Sequence, residues 1–176
     1  MNLAQFNAAE IKRINEAAEV SEDLTNNYFK FSTSEWKKMR YDIKTLAYLY
    51  PEEITHNAFA QVIKYTRLGD RITHLDQKYD FYLICLQDHK ILEAIGREKN
   101  LDLFSLGVYI VTHELVHIVR FYKFFKMFEP PEREKEKEES TVHSITHHIL
   151  KKLNWPSMQF ILESYTPFRH IDNVLL

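Results

Sequence analysis

His113-Glu114-Leu115-Val116-His117 is the segment of this sequence whose residue types and spacing most plainly spell out chemistry. Histidines four residues apart on a helix share one face, one turn apart, so both imidazoles can reach a single ion. The glutamate directly after the first histidine points beside that ion, where it can take a proton from a water the ion activates. Zinc suits this donor set because it accepts imidazole and carboxylate, has no redox chemistry of its own and acidifies water toward neutrality. The expectation is one zinc ion on His113 and His117, with Glu114 as general base.

A catalytic zinc usually takes three protein ligands and keeps a fourth position open. The next helical segment carries Glu138, Glu139, His143, His147 and His148 around an apolar stripe of Val142, Ile145, Ile149 and Leu153. At about 100° per residue, Glu139, His143 and His147 form one row along an edge of that stripe. Glu138 flanks the opposite edge and His148 faces away. The third ligand is therefore Glu139, His143 or Glu138, and His143 or His147 could instead stabilise an oxyanion. Tyr109 and Tyr122 could reach the site, but tyrosines on a buried aromatic helix usually belong to the core. His56, His74, His89 and His170 are scattered and read as structural, and Cys85 reads as a small buried hydrophobe.

The motif, followed about twenty residues later by a helical glutamate, resembles the gluzincin branch of zinc metallopeptidases, the thermolysin-like group. The resemblance covers about 45 residues. It implies a zincin-like domain in which His113, His117 and Glu139 bind the metal and Glu114 is the base. It also implies a peptide or protein substrate, held along an edge strand near the motif helix. The family commonly has aspartate four residues after the ligand glutamate, whereas this sequence has His143. That residue is assigned to the catalytic site beside Glu114. The Gly-x-x-His extension of metzincins is absent, since Ile118-Val119-Arg120-Phe121 follows the motif.

Two other classes compete. His113/His117 and His143/His147 could close a four-ligand metal site with no catalysis. A di-iron carboxylate bundle needs a second Glu-x-x-His; Glu114-Leu115-Val116-His117 supplies one copy, but Glu139 to His143 is one residue too long.

The elements that must position these groups follow from periodicity. Helices are expected over residues 3–19, from the Ser32-Thr33-Ser34-Glu35 cap through Leu49, over 52–67 with Gly69 beyond its end, and over 88–98. Ser21 or Asp23 could cap a short segment. Arg71–Leu75 and Phe81–Leu86 read as strands, with 81–86 the stronger. A long, almost wholly apolar helix spans 101–128 and ends in an aromatic cluster. A charged helix spans 132–153, and a short one follows around 157–164. The fold class is α+β, mostly helical, with a small hairpin or short sheet beside the buried motif helix. The whole chain, 1–176, forms one domain: N-terminal helices over 1–69, a strand region over 70–87, and metal-site helices over 101–153.

Bulk properties agree with a soluble globular protein. Hydrophobic residues are 45% and aromatics 14%, too many for a disordered chain. The net charge of -2 gives no field that would attract nucleic acid. A lone cysteine excludes an internal disulfide framework. The N-terminus lacks an apolar signal core, so a cytoplasmic location is expected. The apolar stretch 101–119 carries Asp102, His113, Glu114 and His117, which would be expensive inside lipid. No membrane span is expected.

Overall fold

The computed structural model describes residues 2–67, 79–124, 126, 128 and 130–165. Helix α1 spans Ala8–Phe29, α2 Thr33–Lys38, α3 Asp88–Arg97, α4 Leu103–Lys123, α5 Glu132–Leu150 and α6 Pro156–Ser164. Three strands, β1 Tyr41–Lys44, β2 Ala60–Arg67 and β3 Tyr79–Leu86, form a sheet in the order β1-β3-β2. The class is α+β and mostly helical, as the sequence indicates.

Helix α4 is the axis of the fold. Asp102 caps it, accepting hydrogen bonds from the Ser105 amide at 2.9 Å and the Ser105 hydroxyl at 2.8 Å. Leu106, Val108, Val111, Leu115, Val116 and Ile118 are fully buried. The helix is long and apolar enough to cross a membrane, but 72% of its most apolar 18-residue window is buried inside the protein. Its aromatic extension does not continue to 128; the helix stops at Lys123, with Phe124 as cap.

Helix α1 packs against α4, and Gly107 is where the two come close. A Cβ built at Gly107 would sit 3.1 Å from both Ala17 Cβ and Ile14 Cδ1. The Ser21 hydroxyl donates to the Ala17 carbonyl at 2.9 Å and approaches the Val108 carbonyl at 3.1 Å. Ser21 is thus a buried interhelix contact, not a cap. The start of α1 is set further along than expected, by a capping box between Asn7 and Glu10. The helix then runs unbroken through Ser21 and Asp23 to a left-handed Lys30.

Residues 34–67 depart from the helical expectation. The Ser32/Glu35 capping box forms, but α2 ends at Lys38. Tyr41-Asp42-Ile43-Lys44 alternates apolar with polar residues and pairs parallel to β3, Tyr41 opposite Tyr82 and Lys44 opposite Cys85. Single turns of 3₁₀ helix, Leu46–Tyr48 and Pro51–Glu53, follow. The helix expected over 52–67 is instead β2, antiparallel to β3 from Ala60–Leu86 to Arg67–Tyr79. Val, Ile, Tyr and Thr in that run are strand formers, and sheet pairing overrides a spacing that also fits a helix turn. The N-terminal region is therefore not all helical. The strand expected over Arg71–Leu75 lies outside the described residues. Strand β3 is central, flanked on both sides, so 81–86 is not an edge; the edges are β1 and β2. Asp88, at the start of α3, accepts from the amides of Phe6 and Leu46, each at 2.9 Å, and ties three distant segments together.

The Gly107 contact yields a graded prediction. Gly107→Val overpacks against the rigid Ala17 Cβ and lowers unfolding free energy in urea by about 1–3 kcal/mol. Gly107→Ala changes it far less, because about 1 kcal/mol of helix propensity offsets the tighter contact.

Candidate metal centre

On α4 the residues Tyr109, His113, His117 and Phe121 recur every four positions, and the first three contact α5. From α5, Glu139 reaches between the two motif histidines. Its Oε1 lies 3.0 Å from His113 Nε2 and its Oε2 lies 3.1 Å from His117 Nε2. His143, one turn along α5, puts its Nε2 3.7 Å from Glu139 Oε1. The two motif-histidine contacts are of hydrogen-bond length and the His143 contact is longer. Ligand atoms of His113, Glu139 and His143 all lie within 4.8 Å of one another, close enough to share one ion, and His117 is outside that group.

Packing holds the ring planes. His113 stacks on Tyr109 with centroids 6.3 Å apart, and His117 stacks on Phe121 at 5.8 Å. Phe121 stacks in turn on Tyr82 of β3 at 5.9 Å, so the sheet braces α4. The Nδ1 atoms of His113 and His117 are buried with no hydrogen-bond partner among the described residues. Where ligand imidazoles are commonly oriented by a carboxylate or carbonyl, these two rings have aromatic neighbours instead.

Glu138 does not enter the site. It forms a two-pronged ion pair with Arg120 of α4, one contact being 3.0 Å from Arg120 Nη2 to Glu138 Oε2. Neighbouring glutamates on α5 therefore take different partners on α4, and the geometry favours Glu139 among the candidate ligands. His147 and His148 are exposed. Tyr122 is also largely exposed, whereas Tyr109 is buried and its hydroxyl lies 3.3 Å from His143 Nδ1. Sequence reasoning placed Tyr109 in the core and missed this contact; its only signal was the four-residue step to His113. His56 and His89 pair with each other, Nδ1 to Nε2 at 3.1 Å, away from the centre. His74 and His170 lie outside the described residues. Cys85 is fully buried, and burial pushes its thiol up to about 12.

The electrostatics are those of a desolvated cluster. Burial raises the Glu139 carboxyl, but hydrogen bonds and charge from His113 and His117 outweigh it and hold the group well below the usual carboxylate range. Burial works against protonating His113, yet the Glu139 contact overcomes it and raises its pKa. Burial, aided by the His113 charge, brings His143 down to about 4. Burial also raises Glu114, against the pull of His113 and His117. Glu114 has no hydrogen-bond or ion-pair partner among the described residues and is only partly buried by surface area. Such a carboxylate is available to take a proton. Two surface recesses of about 410 and 370 Å³ are lined by other residues and include none of this cluster.

The Arg120–Glu138 pair carries a pH-dependent prediction. The hydrogen bond from Arg120 depresses the Glu138 pKa below its ordinary 4.5. Its stabilising contribution is therefore present above that value and is lost as pH falls through the depressed one. Glu138→Gln costs about 1.5–3 kcal/mol at pH 7. The gap to the wild type, followed by denaturant unfolding, closes as pH drops below 4.5.

No protein-family model, curated protein or solved structure matches this chain.

Proposed function

We propose that the protein is a zinc-dependent hydrolase of the gluzincin kind, holding one zinc on His113, His117 and Glu139, with Glu114 as general base. One observation carries this reading: the Glu139 carboxylate lies about equally close to Nε2 of both motif histidines, at 3.0 and 3.1 Å. Imidazole, imidazole and carboxylate form a recurrent catalytic zinc set that leaves one position open. When bound, the zinc would acidify a water and polarise a carbonyl.

The chain's own groups supply the proton traffic. As the water oxygen bonds to the carbonyl carbon, Glu114 takes one of the water's protons. Glu114 then delivers that proton to the leaving nitrogen, the C–N bond breaks, and a carboxylic acid and an amine result. A partly desolvated carboxyl whose proton affinity is raised suits both steps. A peptide or protein substrate, and a zincin-like domain around the centre, rest on the resemblance of the motif and the downstream glutamate.

A second reading has one observation in its favour. His143 Nε2 is close enough to Glu139 to serve as a fourth ligand, which would close the centre and make it structural. A di-iron carboxylate centre gains no such support, because Glu139 is the one carboxylate bridging the histidines among the described residues.

Metal analysis beside peptide hydrolysis tests the proposal. The purified protein should hold one zinc per chain, and His113→Ala and Glu139→Ala should each lose it. Glu114→Gln should keep the zinc and lower turnover by about 10²-fold or more. Full zinc retention by His113→Ala, or undiminished hydrolysis by Glu114→Gln, would sink the assignment.

A further inference from the structure

The Tyr109 hydroxyl is buried at the α4–α5 contact, and the residue as a whole is only 5% exposed. Its hydrogen-bond partner among the described residues is His143 Nδ1, at 3.3 Å. On the far side of the same ring, His143 Nε2 is buried without a partner and faces Glu139 Oε1 at 3.7 Å. A neutral imidazole carries one proton, on Nδ1 or on Nε2, so the Tyr109 contact decides what the other nitrogen presents to the site.

Two arrangements are possible. If Nδ1 carries the proton, the tyrosine oxygen accepts it, and the phenol's own O–H is left buried with no acceptor among the described residues. If the phenol donates to Nδ1, both atoms are satisfied and the ring proton sits on Nε2. Each arrangement leaves one buried donor without a hydrogen bond, but the Nε2–H of the second faces the Glu139 carboxylate at 3.7 Å and is attracted by it, whereas in the first the phenol O–H has no acceptor among the described residues and the Nε2 lone pair faces that anion. An N–H cannot ligate a metal, but it can hydrogen-bond to an oxygen held at one.

Resting on the zinc-hydrolase reading above, we propose that Tyr109 is a positioning residue that fixes His143 as the Nε2–H tautomer, making His143 a donor to the oxyanion formed at the substrate carbonyl and not a fourth metal ligand. The fourth metal position then stays open. Stacking of Tyr109 on His113 and on Tyr165, with centroids 6.3 and 5.5 Å apart, holds the phenol in place to do this. His143 keeps its proton throughout and contributes one hydrogen bond as negative charge develops on the carbonyl oxygen.

Long-range ¹H–¹⁵N correlation on the full chain with labelled histidines reads the tautomer directly, in metal-free and zinc-loaded protein. The expected result is a proton on His143 Nε2 in both, with a shift toward the Nδ1–H form or a mixture in Tyr109→Phe. His143→Ala should keep one zinc per chain while turnover falls by about 10²–10³-fold. Tyr109→Phe should also keep its zinc and lose kcat with little change in KM. A proton on Nδ1 in the wild type, or zinc loss in His143→Ala, overturns the proposal and leaves the other ligands standing. Failure of the wild type to take up zinc overturns the hydrolase reading itself, while the metal-free spectrum still reports whether Tyr109 sets the tautomer.

Discussion

The constraint on which this structure turns is that titratable side chains sit on a helix buried along most of its length. From Ser105 to Val119, α4 is enclosed except at Glu114 and His117. Two imidazoles on such a surface would be costly if left without partners. One carboxylate relieves both, because its two oxygens face two different rings. That arrangement requires α5 to lie alongside α4, and the opposite flank of α4 is closed by α1 at the Gly107 contact. The sheet enters the same system through Tyr82 and Phe121.

How far this was legible in the sequence depends on the range of the interaction involved. The motif on α4 and the row along α5 are local patterns; Glu139 contacts both motif histidines, and His143 joins His113 and Glu139 in one group from which His117 and the exposed His147 are left out. Helices α3, α5 and α6 and strand β3 also stood out, since each has a clear period or a run of strand formers. Residues 34–67 did not. Ile43 and Leu46, or Val62 and Ile63, fall at spacings that fit a helix face, and nothing local signals that β3 needs a neighbour on each side. Strand pairing across forty residues, such as Lys44 beside Cys85, supplies that missing information. Tyr109 is in the core as its helix indicates, and its reach to the site was legible only as one of two candidate tyrosines. A phenol in an aromatic helix reads as core until the partner helix shows a ring nitrogen 3.3 Å from its oxygen.

The histidine pair is also held differently from the way metal-ligand histidines commonly are. A second carboxylate or carbonyl usually fixes the outer nitrogen of each ring. Here Tyr109 and Phe121 bracket the histidine pair along the helix and restrain the ring planes by stacking. Stacking restrains tilt while adding no negative charge, which leaves Glu139 as the close anionic partner of both imidazoles.

Glu138 and Glu139 are adjacent on α5, about 100° apart around its axis, and each is anchored to α4 by a different partner. Two anchors at different azimuths act as a key in a slot. Rotating α5 to relieve one would tear the other, and sliding it by one residue would bring Ser140 to the position of a ligand. The rotational phase of the helix is thereby indexed by side-chain contacts alone, and a cation bound as proposed would meet donors already in register, with none of its binding energy consumed in assembling them.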